Sequence, residues 1–319
     1  MWTYVVRRLL QALLILFFIT GLCFALTRAA GDPMAQYANK PGLTARDRAE
    51  IRQRLGLDQP IPIQYVKWLG LVLQGDLGDS IFSHQPVLTL IQQRLPLTLI
   101  LMSVAEIIII LLALLLGLVA ATKQYSFTDN LITSFSFIGY SMPIFFIALG
   151  SMAIFAVQFK TWGLPYLPTG ADIWNPLDLL QLARHLVLPV FCLVTIQTAG
   201  YSRFLRSSIL EVLGMDYVRT AHAKGLSKRT VLYRHALRNA ILPFVTIVGL
   251  DIPFLLGGAL VTETIFAWPG MGRLFWEYAQ RGDYPVVMGV LLITSSAVVF
   301  FTIVVDLAYT IIDPRIRLS

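Results

Sequence analysis

Long apolar runs alternate with short polar stretches along most of this chain. Each run approaches or exceeds the roughly 20 mostly apolar residues that a helix needs to cross a bilayer core. The pattern predicts six membrane-spanning helices, over residues 9–26, 97–122, 131–157, 186–201, 241–266 and 286–310. The fourth is expected to be short and broken at Pro189. The first is too long for a secretory-signal core, and no small-residue cleavage site closes it, so a retained span is expected. Two longer polar insertions interrupt the alternation. Residues 27–96 follow the first span, and there Thr44-x-x-Asp47 reads as a capping box opening a charged helix to about Arg54. Residues 202–240 follow the fourth, and their pattern predicts two helices joined at Gly225, with Ser227 capping the second.

Composition agrees with the pattern. Of 319 residues, 56% are hydrophobic and 13% charged, about half the charged share of a soluble domain. The net charge of +7 does not suggest a nucleic-acid binder, because the basic residues flank apolar runs. With the amino terminus inside, the inner segments carry thirteen Lys and Arg, and the short outer loops carry four. Residues 27–96 hold eight more, but a stretch that long crosses a membrane largely regardless of charge. The expected topology is multi-pass with both termini cytoplasmic. The domain expectation is an amino-terminal span (1–26), an external segment (27–96) and a core (97–319) with a cytoplasmic loop at 202–240.

That loop holds eight basic residues against Glu211 and Asp216. A solvated loop that only sets topology would account for the charge. The residue order goes further. Asp216-Tyr-Val-Arg-Thr-Ala-His-Ala-Lys-Gly-Leu-Ser227, followed by His235-Ala-Leu-Arg-Asn-Ala-Ile-Leu-Pro243, resembles the EAA loop of ATP-binding-cassette permeases. More narrowly, the chain is similar to the dipeptide/oligopeptide/nickel/glutathione importer permeases, and to their B-type subunit. Supporting stretches are Gly31-Asp-Pro33, Leu55-Gly-Leu-Asp-Gln-Pro60, Gly75-Asp-Leu-Gly-Asp-Ser80, Tyr140-Ser-Met-Pro143, Thr262 through Gly272, Asp283-Tyr-Pro285 and Asp313-Pro-Arg-Ile-Arg317. The wider EAA pattern has a Glu where Arg219-Thr-Ala-His222 stands, and a closing Pro where Arg238 stands.

The resemblance implies an all-α type I importer permease of six transmembrane helices in a bacterial cytoplasmic membrane. It implies a heterodimer with a second permease, two ATPase subunits that bind ATP and Mg²⁺, and an external substrate-binding protein. This chain would be no enzyme and would hold no cofactor. Its cargo would be small peptides, with a nickel chelate or glutathione as alternatives. ATPase coupling falls on Tyr217, Arg219, Ala221, Ala223, Lys224, Gly225 and Leu226. There the two alanines permit close approach, Tyr217 and Leu226 offer apolar anchors, and the cations offer charge pairing. No phosphate-binding Gly-x-x-x-x-Gly-Lys-Ser/Thr occurs in the chain.

Three carboxylates fall within spans. Asp251 lies about 15 Å into the fifth and Glu106 about 13 Å into the second, both near the midplane. There an acid normally faces a wet cavity or a partner. Spacing along one helix puts Asp251, Leu255, Gly258 and Thr262 on one face, which suits a solute pathway; a buried structural hydrogen bond is the alternative. Asp306 is expected to pair with Thr302 or to anchor its span end with Tyr309. Trp268-Pro269-Gly270 reads as a turn at the outer interface that shapes a gate. His84 and His185 lack metal-ligand spacing and read as structural, and neither cysteine belongs to a metal or disulfide framework. A secondary transporter would show inverted repeats and a self-contained ion site. A membrane enzyme would show a catalytic constellation at one interface. The chain shows neither.

Overall fold

The regular secondary structure is helical, and among the described residues the one strand-like feature is an isolated bridge between Asp79 and Pro86. The structure, a computed structural model, describes residues 2–30, 44, 46, 53, 57–170, 175, 177–255 and 259–312. The Thr44–Asp47 capping box, Gly31-Asp-Pro33, Gly258 and the Asp313–Arg317 motif lie wholly or partly outside the described residues.

In chain order the helices are α1 (Trp2–Ala30), α2 (Ile61–Val72), α3 (Val87–Thr122), α4 (Phe127–Ser141), α5 (Ile144–Ser151), α6 (Leu179–Leu213), α7 (Asp216–Ala223), α8 (Lys228–Thr230), α9 (Leu237–Leu255), α10 (Leu260–Ile265), α11 (Met271–Gln280) and α12 (Tyr284–Ile312). Two π-helical stretches extend their helices without a break: Met152–Gln158 runs from α5 into a last α-helical turn at Phe159–Thr161, and Val231–Ala236 joins α8 to α9. Among the described residues, five helices are long and apolar enough to cross a membrane. The expected fifth span is divided between α9 and α10, with residues 256–258 outside the described residues.

Three expected boundaries differ. The second span begins at Val87, ten residues upstream of position 97, with Pro96 inside the helix. The fourth is neither short nor broken, since α6 runs 35 residues straight through a buried Pro189. A proline removes one backbone donor, but neighbouring helices and local adjustment compensate for that in an apolar bundle. The third does break, at Met142–Pro143: Met142 takes an extended conformation (ψ 129°), the geometry a following proline favours.

The chain forms two compact units, residues 1–97 with 270–319, and residues 98–269. In the first, α1 packs along α12, and a core forms around Leu77, Val87, Ile91, Met271, Leu274 and Val286. Gly289 makes the α3–α12 approach possible, since a Cβ there would lie 2.5 Å from Val87 Cγ1. Asp283, fully buried, accepts from Ser80 Oγ (2.6 Å) and from the Phe82 amide (2.9 Å), tying the 78–86 loop to the start of α12. Asp306 pairs with Arg8 at 2.9 Å, while Thr302 donates to the Val298 carbonyl. The expected Asp306–Thr302 pair is therefore replaced by a tie between α12 and α1, a contact that sequence spacing cannot show.

In the second unit α6 is central, packing on α4, α5 and α9. Small residues let the backbones close up: a Cβ on Gly139 would sit 3.1 Å from the Thr195 carbonyl oxygen. At one end Arg206 forks onto Asp129 with two 2.7 Å bonds. This guanidinium, with the Tyr125 amide also donating, holds the Asp129 carboxyl below the usual aspartate range.

Candidate functional site

Two features carry candidate chemistry, a projecting helix and a polar cluster inside the bundle. The helix is α7, which follows α6 after a break at Gly214. Its far end closes in the manner of a Schellman turn: the Leu226 amide bonds the Ala221 carbonyl (3.3 Å) and the Gly225 amide bonds that of His222 (2.9 Å). Gly225 has φ +79°, which only glycine adopts without strain, while a Cβ there would meet nothing within 4 Å. Ser227 then accepts from the Thr230 amide (3.2 Å) and starts the next helix. Both the joint at Gly225 and the Ser227 cap match the sequence reading. The second helix, however, continues through α9.

The faces of α7 sort the expected coupling residues. Arg219, Ala223, Lys224, Gly225 and Leu226 are exposed, as is Tyr217, whose hydroxyl accepts from Asn239 Nδ2 at 2.7 Å. Ala221 is not exposed. With Val218, three residues earlier, it turns inward and is buried, in a helix that packs on α6 and on residues 231–236. Its small side chain allows α7 to lie against its own chain. The outward face carries Arg219, paired with Asp216 at 3.4 Å, and Lys224 follows just past the helix end.

Inside the bundle, Tyr201 on α6 donates to Asp251 Oδ2 on α9 at 2.6 Å, and its oxygen lies 3.5 Å from Glu106 Oε1 on α3. Glu106 is buried and Asp251 half-buried. One hydroxyl hydrogen thus faces two carboxyl groups on two other helices. Reading spans singly left Tyr201 out, because a tyrosine near a span end looks like an interface anchor.

The expected pathway face does not form as one helix stripe. Asp251 and Leu255 are on α9, Gly258 lies outside the described residues, and Thr262 belongs to α10. Thr262 is fully buried. Helix spacing does not carry from 251 to 262 because Ala259, with φ −90° and ψ 77°, is not helical. Beside Thr262 is a group missed in the sequence, Glu263, fully buried and accepting from Thr98 Oγ1 at 2.7 Å. Its carbonyl takes the Trp268 amide at 2.8 Å, closing a turn in which Ala267 has φ +52°. Trp268 is buried, Pro269 is half-buried, and Gly270 starts α11. His185 is buried with Nδ1 2.8 Å from the Gln181 carbonyl, in keeping with a structural role. Among the described residues no group of three His, Cys, Asp or Glu side chains is placed to hold a metal ion.

Comparison with known proteins adds the context. Residues 113–318 match the family model described as binding-protein-dependent transport system inner membrane component, and residues 1–102 match its amino-terminal counterpart. The oligopeptide transport system permease protein AppB of Bacillus subtilis (strain 168) is 42% identical over 322 residues, covering 99% of this chain and 100% of the relative. The dipeptide transport system permease protein DppB of Escherichia coli (strain K12) is 38% identical over 339 residues, covering 99% of each. A solved structure titled as an amino acid ABC transporter with histidines shares the fold. It has a TM-score of 0.53 and 13% identity over 69% of this chain and 93% of that one.

Proposed function

Because the chain belongs to the family of binding-protein-dependent transport system inner membrane components, we propose that it is one permease half of an ATP-driven peptide importer. The observation that carries this reading is α7. It is a short helix with one exposed face, set in a basic loop and closed by a turn that requires glycine, in a chain without a nucleotide-binding motif. A helix presented in this way can lie in a groove of another protein, and coupling to an ATPase gives the projection a purpose.

In this reading a related permease completes the path, and two ATPase subunits bind ATP and Mg²⁺ and dock at α7 and its counterpart. An external protein delivers peptide, six spans cross the membrane, and both termini are cytoplasmic. ATP binding draws the docked helices together and opens the path outward; hydrolysis lets it return. No bond of the solute is broken by this chain. Asp251, half-exposed and held by Tyr201, faces the path, while the Trp268–Gly270 turn shapes its outer end. All of one named peptide permease and 99% of the other are covered, which supports peptide as cargo. Reconstituting the chain with its partners in liposomes tests the proposal. Uptake of labelled peptide should require ATP, both ATPase subunits and the binding protein. Uptake by this chain alone, driven by an ion gradient, would overturn it.

A further inference from the structure

The accessible side of α6 is unlike a surface meant for lipid. Gln197, Gly200, Arg203, Phe204 and Ser207 recur three or four residues apart, so they share one helix face, and each is exposed or half-buried. Thr198, Ala199, Tyr201, Ser202 and Leu205, between them, are buried. A face turned to hydrocarbon would be apolar, since charged groups in the membrane interior face cavities or partners. This one offers an amide, a guanidinium and a hydroxyl. A Cβ on Gly200 would meet nothing within 4 Å, so the surface one turn from Arg203 is open.

Arg203 is the unusual member. Its guanidinium carbon lies 4.8 Å from the ring centroid of Phe137 and 4.9 Å from that of Tyr140. Both rings belong to α4 and both are more than half exposed. The Arg203 Nε is buried without a hydrogen-bond partner, and among the described residues no carboxylate forms an ion pair with it. Arg206, three residues on, is by contrast fully engaged by Asp129. Phe137 and Tyr140 lie eight and eleven residues beyond Asp129 on α4, about 12–16 Å along the axis. On α6 itself Arg203 stands one turn, about 4.5 Å, from Arg206, so it lies one turn beyond the Arg206–Asp129 pair. A cation held through ring faces keeps its in-plane N–H groups free, the geometry that receives a carboxylate.

We propose that this face of α6 lines the solute path and that Arg203, braced by Phe137 and Tyr140, receives the carboxylate of the peptide in transit. The proposal rests on the peptide-import reading above. The test uses the complete complex in liposomes and a pair of peptides differing only in a free or amidated carboxyl terminus, matched for affinity to the binding protein. Arg203→Gln should lower uptake of the free acid about tenfold, the scale of a lost charge-assisted contact, and leave the amide within about twofold. Arg203→Lys should fall between. Gly200→Leu should assemble normally and depress uptake of both peptides. Equal loss for acid and amide, loss of the second permease on purification, or an effect that follows the anionic lipid content would each overturn the proposal. ATP-dependent uptake by wild type that Arg203→Gln does not change would remove this inference alone. Absence of any peptide uptake by wild type would remove the import reading beneath it.

Discussion

Replacing Asp129 with Asn should weaken the second unit by about 2–3 kcal/mol. The wild-type carboxylate takes two 2.7 Å bonds from Arg206 and one of 2.9 Å from the Tyr125 amide, with 2% of its side chain accessible. Asn keeps the shape but turns an NH₂ group toward a donor, leaving a guanidinium without its anion. Breaking a fully buried pair costs about 3–5 kcal/mol; Arg206 keeps 22% of its side-chain surface, so water recovers part of that. Reversible unfolding in mixed micelles, run as a cycle of Asp129→Asn, Arg206→Met and the double variant, measures the coupling. The double variant should be less destabilised than the sum of the singles by at least about 1 kcal/mol. The carboxyl is held below its ordinary value of about 3.9. Its stabilisation is therefore complete above that ordinary value and fades as pH falls through the depressed one. The gap between wild type and Asp129→Asn should accordingly be constant near neutrality and shrink in strong acid. Additive singles, or a gap that widens on acidification, would refute the reasoning.

Gly225→Pro should leave the chain in the membrane and abolish ATPase co-purification, because proline cannot adopt φ +79°; normal yield of the complex with normal transport would count against it. Ala221→Trp should instead destabilise the chain itself, since the site is buried, and thermal inactivation of the purified subunit measures that. Asp251→Cys, in a background lacking Cys23 and Cys192, should react with a small polar thiol reagent at different rates in resting and ATP-trapped complexes; silence in both states would return Asp251 to a structural role. Gly289→Ala should cost about 1–3 kcal/mol through overpacking against Val87, read by the same unfolding assay.

Membrane character, helical class and the jointed basic loop were legible in the sequence because they depend on local properties: length of apolar runs, lysine and arginine placement, a glycine followed by a capping serine. The Gly225 turn and Ser227 cap involve residues within six positions of one another, so their hydrogen bonds follow from order alone. Contacts between helices obey no such spacing. Tyr201 between Glu106 and Asp251, Arg206 on Asp129, Arg8 on Asp306 and Ser80 on Asp283 join positions 50 to 298 residues apart. The inward turn of Ala221 depends on what α7 packs against. Periodicity assigns a residue to a face. Only packing decides whether that face meets protein, lipid or water, and for Arg203 and Asp251 that difference separates a structural charge from one exposed to a solute.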